Sequence, residues 1–441
     1  MDSVILYTEK ITSRLRYTAN LILKDYLGLN LRFTSDKIEF VNFSGVKILY
    51  SDKSDNADVC FVCKSNLLIE TGIKSQNIAI GSWNGVLTLF NSSASATDQT
   101  IPFDIFSAVF YLVSRYEEYL PHIKDKFGRF EAESSIAFTH GFLDTPVVNY
   151  WIMYFSEAIK SKFPEVRFKP VDYEFISTID IDNAFAFKNK GAMRTLGGYL
   201  RGFLNLNWKN ITDRTKVILG KSLDPFDSYE YQLMIQKKYQ FRVVYFFLLG
   251  DYGVNDKNLP SNNLKFRSLI QHLSDFAEIG IHPSFGSTGN VNQVKKEITR
   301  LAKISHKDIK SSRQHFSILS FPSTYQILLE NEIQHDFSMG YHNHPGFRAG
   351  ISSAFYWYDL ENEIESNLKI YPFVFSESCL KYNLKFNPVE ALEFSKNFIQ
   401  KIKDTNGVFV SMFHNESLGE YGEWVGWKTF YEEMVKEAIL K

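Results

Sequence analysis

Cysteine is scarce in this sequence, with three among 441 residues. An odd and sparse set is not the disulfide framework that small secreted domains use. Cys60 and Cys63 form a CxxC, but they lie in the apolar run VCFVC with no second pair and no neighbouring histidine. We therefore predict that these two cysteines pack in the core and neither bind zinc nor carry out redox chemistry.

Long apolar runs are also missing. No stretch approaches the roughly 20 apolar residues that a membrane-spanning helix needs. The amino terminus, MDSVILYTEKITSRLRY, has only a short apolar run before charged residues, which is unlike a signal peptide or a membrane anchor. These features predict a cytoplasmic protein without a membrane span.

An excess of either charge is absent too, because 49 Lys and Arg nearly balance 50 Asp and Glu. The balance gives no electrostatic reason to expect nucleic acid or an anionic membrane surface as a partner.

Aromatic residues, in contrast, are abundant, with 39 Phe and 24 Tyr. Aromatic rings at the rim of a cleft stack well on sugar rings, so a carbohydrate ligand is favoured. The oligomeric state is left open.

The length and the pattern of the chain predict two domains, since 441 residues exceed the usual size of one core. Residues 1–165 mix short strand-like runs such as KILY and VLTLF with two amphipathic helices, which indicates a smaller α+β domain. No cluster of catalytic residue types stands out there, and its role is unknown.

Residues 172–441 show strand-like runs that alternate with longer amphipathic segments. The runs are EFISTIDID, RVVYFFLLG, FAEIGIHPS, HFSILSF, IQHDFSMGY, YPFVFSE and GVFVSMFHN. Such alternation predicts an α/β fold with a parallel sheet, and seven runs suggest a distorted (β/α) barrel. Polar residues gather at the carboxyl ends of the runs, where barrels of this kind carry their active sites. They are Asp180, Asp182, Asp251, His282, His315, His342, His344, Glu377 and His414.

Asp180 and Asp182 lie in the buried, strand-like stretch EFISTIDIDNAF. Side chains two apart on a strand share a face, so two carboxylates are held together beside apolar surface. That is unfavourable unless a cation, a hydrogen-bond network or a proton lies between them. The alternative is a strand that ends in an ordinary Asx turn at Asp182 and Asn183.

Several histidines at matching strand ends point to one chemistry. One carboxylate and two imidazoles are a common ligand set for a divalent transition metal that keeps a position open for water. A second carboxylate and a further histidine could move protons, which completes the set for metal-assisted hydrolysis. Each histidine taken alone is more often a hydrogen-bonded core or rim residue than a ligand.

The motifs TIDID, IHPSFG, SRQHF and MFHN occur in this order. In this respect residues 172 to about 435 resemble the NodB-type polysaccharide deacetylases of carbohydrate esterase family 4, in the branch whose first motif is D-x-D. The amino-terminal part looks like the uncharacterised domain that precedes such barrels in some bacterial polysaccharide-biosynthesis proteins. The resemblance implies roles for six residues: Asp180 as catalytic base, Asp182 and His282 as metal ligands, Arg313 as the group that orients the catalytic aspartate, Asp336 as a later motif aspartate, and His414 as general acid.

The sequence departs from the family pattern at one ligand. Gly286 stands where the family has its second histidine, and His315 replaces a proline of the next motif. We predict that His315 supplies the missing ligand to a divalent metal, most simply Zn²⁺, because neighbouring barrel strands end close together. The alternative for His315 is a hydrogen bond to a loop carbonyl. His342 and His344 are weaker substitutes. Arg348 is a candidate for gripping a substrate carboxylate or hydroxyl, and an ordinary surface arginine is the equal alternative.

The resemblance implies a metal-dependent hydrolase that removes acetyl groups from an N-acetylated or O-acetylated saccharide in polysaccharide biosynthesis. The alternative is an inactive barrel that binds glycans or acts as a scaffold, and Gly286 is its best argument. A third possibility keeps the hydrolase but exchanges the substrate for another amide, such as a cyclic one. The sequence does not distinguish which saccharide or which linkage is the substrate.

Overall fold

The computed structural model describes residues 2–54, 58–92, 100–169 and 171–440. The strands are β1 (Ser3–Tyr7), β2 (Asn30–Thr34), β3 (Val46–Ser51), β4 (Cys60–Cys63), β5 (Ile80–Trp83), β6 (Val86–Leu89), β7 (Glu174–Ile181), β8 (Arg242–Phe247), β9 (Glu278–Ile281), β10 (Ser311–Ser312), β11 (His335–Asp336), β12 (Phe355–Asp359), β13 (Ile364–Ile370) and β14 (Val408–His414).

The α-helices are α1 (Ser13–Ala19), α2 (Lys37–Asn42), α3 (Ile105–Val113), α4 (Ile136–Thr139), α5 (Val147–Lys162), α6 (Gly191–Leu204), α7 (Trp208–Ile218), α8 (Tyr229–Tyr239), α9 (Leu264–Phe276), α10 (Val291–Ser305), α11 (Ser323–Glu330), α12 (Pro388–Asp404) and α13 (Trp427–Ile439). Two π-helical segments, Asn20–Tyr26 and Cys379–Asn383, add to them.

The amino-terminal part is built on a parallel four-stranded sheet with the order β2-β1-β3-β4. Helix α3 is buried on every side, as its sequence IFSAVFYLV requires, and Asp104 caps its first turn. Strands β5 and β6 form a hairpin whose turn, Asn84-Gly85, has positive φ at both positions. Asn-Gly is the turn sequence that tolerates this geometry best.

The larger sheet has the order β12-β13-β11-β10-β9-β8-β7-β14. All its pairings are parallel except the one between β12 and β13, which makes β12 an antiparallel edge strand. The sheet curls, because Ser376, shortly after β13, forms a parallel bridge to Met412 on the opposite edge. The α/β class is therefore confirmed, whereas the described residues give eight strands and not the seven of the predicted barrel.

Two of the predicted strands were placed wrongly. The run HFSILSF begins with a short turn at residues 315–317, and the strand β10 precedes it. Its apolar side chains Ile318 and Leu319 are buried, which produces a strand-like pattern, but Phe316 and Ser317 have positive φ and break the extended backbone. The run YPFVFSE likewise follows the strand β13 and touches the sheet through the single bridge at Ser376.

The amino-terminal part packs directly on the larger sheet. Arg14 pairs with Glu363, Val148 N–H donates to Gly350 O at 3.0 Å, and one continuous apolar core contains residues from both parts. The division at residues 165–172 stays a prediction. In the described ranges no helix combines the length and the apolar character needed to cross a bilayer.

Candidate metal centre

Asp180 and Asp182 lie at the carboxyl end of β7, between β14 and β8. In the register of the sheet, Asp180 is paired with His414 on one side and Phe246 on the other. Asp180 is fully buried, and Asp182 follows directly after the strand. Both carboxylates approach the same imidazole, that of His282, as expected for residues two apart on one strand face.

Three side chains converge on one point. His282 Nε2 lies 3.2 Å from Asp182 Oδ1, and His315 Nε2 lies 3.4 Å from Asp182 Oδ2. One ligand atom from each of Asp182, His282 and His315 lies within 4.8 Å of the others. The predicted set is thus brought together, although the ligand role of each residue stays a prediction.

The donor set fits a tetrahedral metal ion. Ligand atoms bound at about 2.1 Å in a tetrahedron lie roughly 3.4 Å apart, which is close to the two distances to Asp182. Asp182 Oδ1 is buried and has no hydrogen-bond partner. A buried carboxylate oxygen without a partner is costly, so a cation among these three groups would satisfy it.

Each histidine is fixed by a contact on its other nitrogen. His282 Nδ1 lies 2.6 Å from Arg313 O, so its proton belongs on Nδ1 and Nε2 is free to bind a metal. His315 Nδ1 lies 3.0 Å from Asp256 Oδ1. Asp256 is held in turn by the backbone N–H groups of Phe285 and Gly286, at 2.9 and 3.0 Å. The backbone at Gly286, where the sequence resemblance implied a histidine, therefore anchors the carboxylate that orients His315.

The pKa shifts show where a positive charge is favoured. Burial alone would raise the pKa of Asp182, but His315, His282 and His414 lower it well below its usual value. Burial opposes a charge on His315, yet Asp182 and Asp256 raise its pKa to about 9. The two carboxylates thus stabilise a positive charge at this point, which a proton or a metal ion could carry.

Arg313 holds Asp180. Its Nη1 lies 3.2 Å from Asp180 Oδ1 and 2.5 Å from Thr178 Oγ1, and its Nε donates to Phe337 O at 3.0 Å. The guanidinium is fully buried between the rings of Phe246 and Phe373. Because Arg313 occupies only Oδ1, the other oxygen of Asp180 is buried without a hydrogen-bond partner and lies 3.9 Å from His282 Nε2.

His414 faces the same point from β14. Its Nδ1 lies 2.7 Å from Glu377 Oε1, and the same oxygen accepts the His414 backbone N–H at 3.0 Å. Its Nε2 lies 3.9 Å from Asp182 Oδ2. Burial would lower the pKa of His414, but Glu377 raises it well above its usual value. A protonated imidazole is a ready proton donor.

Sequence reasoning missed two carboxylates of the site. Glu377 was noted only as a polar residue at a strand end, and it proves to be the partner of His414. Asp256 was not noticed, because it lies in the long loop GDYGVNDKNLPSNN, where no strand end marks its position. Only the chemistry of a metal-binding histidine could have indicated Asp256, since such a histidine commonly donates its second N–H to a carboxylate.

Other candidates lie away from the centre. Arg348 was a candidate for gripping substrate, and the structure contradicts this: it is 2% exposed and donates to Glu118 Oε2 at 2.6 Å. Asp336 is buried and accepts from Ser312 and Ser338. The remaining three are Asp251, paired with Lys296 and Arg300, His342, near Asp125, and His344, near Glu133.

A turn of the amino-terminal part reaches the site. Arg129, held by Asp125, donates to Phe316 O at 2.8 Å, and the ring of Phe127 contacts that of Phe316 at a centroid distance of 5.3 Å. Phe316 directly follows His315 and has φ of 58°, a left-handed conformation that is unfavourable for a bulky residue. The amino-terminal part therefore supports the backbone beside His315.

A cavity of about 570 Å³ opens over Asp182 and His315. Its walls combine aromatic rings with amide and charged groups. They include Phe187, Phe226, Phe316, Tyr382, Tyr421, Trp424, Asn183, Asn210, Asn255, Lys190, Lys257, Glu416 and Glu423. Rings offer faces to the apolar side of a sugar, and the polar groups can bind its hydroxyls.

One family model matches the amino-terminal part of the chain. Residues 4–164 match the model of DUF7033, a family of unknown function. No curated protein matches the chain significantly.

Several solved structures are similar to parts of the chain. A protein from Mycobacterium smegmatis, inferred to be a polysaccharide deacetylase, has a TM-score of 0.39 and 12% identity over 62% of this chain and 86% of its own. The polysaccharide deacetylase of Bacillus cereus has a TM-score of 0.27 and 13% identity over 60% and 87%. A GH57 branching enzyme from Thermococcus kodakaraensis has a TM-score of 0.32 and 8% identity over 59% and 67%. A fold does not dictate a reaction, so the side chains of the site determine the chemistry.

Proposed function

We propose that this protein is a metal-dependent hydrolase that removes acetyl groups from an N-acetylated or O-acetylated saccharide. One observation carries the proposal: Asp182, His282 and His315 converge on a point that a free oxygen of Asp180 and Nε2 of His414 also approach. Hydrolysis of an amide or ester needs an activated water, a base and an acid around one carbonyl, and these five side chains can supply them.

Asp182, His282 and His315 would hold the metal, and two imidazoles with one carboxylate suit Zn²⁺. Zinc held there would lower the pKa of a bound water toward neutrality and would polarise the acetyl carbonyl. His315 is the ligand that replaces the histidine missing at Gly286. Asp256 and the carbonyl of Arg313 keep both imidazoles oriented with Nε2 inward.

Asp180 acts as the base. Arg313 occupies its Oδ1, so Oδ2 is the oxygen left to accept the proton of the attacking water. His414 acts as the acid, and it donates the Nε2 proton to the leaving amine or alkoxide. Glu377 stabilises its protonated form through Nδ1. Acetate and a free amino sugar, or a free hydroxyl, are the products.

The saccharide class is inferred from the cavity. Its aromatic walls, with Tyr421 and Trp424 among them, provide stacking surfaces, and its amides and charged groups provide hydrogen bonds. An apolar acyl substrate would not need so many polar groups, and a peptide would leave the sugar-stacking faces unused.

The test measures acetate released from N-acetylated oligosaccharides by the zinc-loaded protein. Asp180→Asn should abolish turnover while the bound zinc stays near one per chain, whereas Asp182→Asn should lose the zinc. Asp251→Asn, at an exposed carboxylate outside the site, is the matched control and should behave as wild type.

Three results would contradict the proposal. Absence of stoichiometric metal in wild type would favour the scaffold alternative. Loss of zinc in Asp180→Asn would make that residue a ligand. Ammonia release from cyclic amides without acetate release from sugars would mean that the substrate is a cyclic amide and not an acetylated saccharide.

A further inference from the structure

Helix α6 presents an apolar stripe to solvent. Met193, Leu196, Leu200, Phe203 and Leu204 are 58–85% exposed. At 100° per residue these five positions fall on one helix face about 100° wide, the width of a stripe that normally packs against a core. An apolar stripe of this kind on the outside of a protein marks an interaction surface.

The stripe is not the face that holds α6 in place. The opposite face packs on α7 through two glycines: a Cβ on Gly198 would lie 2.4 Å from the guanidinium carbon of Arg214, and one on Gly202 would lie 2.8 Å from Ile211 Cγ1. The two helices are thus closely packed through small residues. Two more large apolar side chains are exposed nearby, Leu206 in the connection between the helices and Trp208 at the start of α7.

The segment that contains α6 and α7, residues 184–223, is strongly basic. Residues 184–223 contain a single acidic residue, Asp213, which accepts a hydrogen bond from Tyr421. The basic residues of the segment are Lys188, Lys190, Arg194, Arg201, Lys209, Arg214, Lys216 and Lys221. The sequence of these residues thus has seven net positive charges in a chain whose formal net charge is −1, and Arg201, Lys209, Lys216 and Lys221 are the exposed ones among its basic side chains. The balance over the whole chain hides this local excess.

We propose that the apolar stripe of α6 and the basic residues 188–221 dock the protein on an anionic phospholipid bilayer. A helix with Leu, Phe and Trp on one face and Lys and Arg beside it inserts its apolar face between headgroups and attracts anionic lipids. A second copy of this chain would cover the stripe but would bring two like-charged segments together. Nucleic acid would match the charge but would leave the stripe in water.

Helix α6 begins next to the cavity over the proposed metal centre. The residue before the helix, Lys190, lines the cavity over the metal centre. Arg194, in its first turn, donates to the carbonyls of Lys257 and Asn258 at 2.7 and 3.0 Å, and Lys257 lines the same cavity. A bilayer held by α6 therefore lies beside the mouth of the cavity. The docking itself does not depend on the reaction proposed for the site.

Co-sedimentation of the full chain with vesicles tests the proposal. Vesicles of phosphatidylglycerol and phosphatidylethanolamine should bind the protein, and vesicles of phosphatidylcholine alone should bind it at least tenfold more weakly. The double variant Leu200→Ser with Phe203→Ser should weaken binding by about a hundredfold, at about tenfold for each apolar side chain that the bilayer buries. Both side chains are exposed, so the fold should be unaffected, which circular dichroism checks.

Two further variants test whether vesicle binding depends on the stripe itself and on the basic residues beside it. Leu264→Ser with Val389→Ser removes side chains that are 79% and 72% exposed on other helices and should leave binding unchanged. Arg201→Glu with Lys216→Glu should weaken binding to the anionic vesicles severalfold and reduce its sensitivity to salt. Failure of wild type to bind anionic vesicles would overturn the proposal. A dimer that the Leu200→Ser, Phe203→Ser variant abolishes, without vesicle binding, would assign the stripe to a second copy.

Discussion

Asp256 Oδ1 lies 3.0 Å from Nδ1 of His315. The carboxylate is fixed by the backbone N–H groups of Phe285 and Gly286, so the segment in which a ligand histidine was expected instead orients His315, a proposed metal ligand. The hydrogen bonds lower the pKa of Asp256 against the effect of burial, so it stays ionised beside the imidazole. A carboxylate in this position fixes the tautomer of a ligand histidine and makes its other nitrogen a better donor.

Asp256→Ala should therefore weaken zinc binding by about 10- to 100-fold, the usual loss when a carboxylate behind a ligand histidine is removed. Competition of the metal-free protein against a chromogenic chelator measures the affinity. Asp251→Asn, in the same loop region but paired with lysine and arginine at the surface, should leave it unchanged. Equal zinc affinities for wild type and Asp256→Ala would show that Asp256 does not strengthen zinc binding through His315.

Two glycines near the site should respond differently to alanine. A Cβ on Gly286 would lie 3.5 Å from Asp256 Oδ2 and 3.8 Å from Ser284 Oγ, which are ordinary contacts. A Cβ on Gly280 of β9 would lie 2.5 Å from the ring of Phe246 and 2.7 Å from Ser311 O, so strands β8 and β10 leave no room for it.

We expect Gly286→Ala to change the free energy of unfolding little and Gly280→Ala to lower it by about 1–3 kcal/mol, the range for overpacking a core. Urea unfolding compares the two variants with wild type. If Gly286→Ala proved the more destabilising, the loop around Asp256 would have to be tighter than described.

The sequence could predict the centre because strand ends obey a simple geometry. Parallel strands end at one edge, so Asp182, His282 and His315 could be expected together although they are far apart in the chain. His315 was predicted on a strand that does not exist. It nevertheless reaches the centre, because it follows the two-residue strand β10 after only two residues.

Side chains whose partners are distant in sequence could not be predicted. Arg348 looked like a surface group, because nothing in the sequence shows that Glu118, 230 residues earlier, neutralises it. The apolar stripe of α6 has the same spacing as a core stripe, and only the fold shows that solvent covers it. The spacing of residues in the sequence does not show whether a side chain is buried or exposed, because that depends on the fold.

Arg129 offers a test of the amino-terminal part as a support for the site. Its hydrogen bond to Phe316 O restrains two successive residues of positive φ, Phe316 and Ser317, next to His315. A left-handed residue other than glycine costs about 1–2 kcal/mol, so the loop should relax once the restraint is removed.

Arg129→Met should then weaken zinc binding by about fivefold to tenfold, the equivalent of about 1–1.4 kcal/mol, and alter the visible absorption of the cobalt-substituted protein. Lys126→Met, at an exposed position of the same turn, is the matched control. An unchanged cobalt spectrum in Arg129→Met would mean that the turn does not position His315.

Glu118 should make stability depend on pH through two buried arginines. Arg115 Nε and Arg348 Nη2 approach its carboxylate at 2.7 and 2.6 Å. Burial would raise the pKa of Glu118, but Arg348 and Arg115 lower it below its usual value. A carboxyl whose folded pKa is lowered stabilises the protein fully above its unfolded pKa, about 4.3, and this contribution is lost as the pH falls through the folded pKa.

Glu118→Gln should therefore lower the free energy of unfolding at pH 7 by about 3 kcal/mol, since it leaves the buried Arg348 without its carboxylate partner, whereas Arg115 keeps Glu117. The gap between wild type and variant should narrow as the pH falls below about 4.3, because protonation removes the same charge from wild type. Urea unfolding at pH 7 and at steps down to acid pH measures the gap. Glu432→Gln, whose partner Lys238 lies at the surface, should cost less than about 1 kcal/mol. A gap for Glu118→Gln that stays constant over this pH range would show that the charge of Glu118 does not contribute to stability.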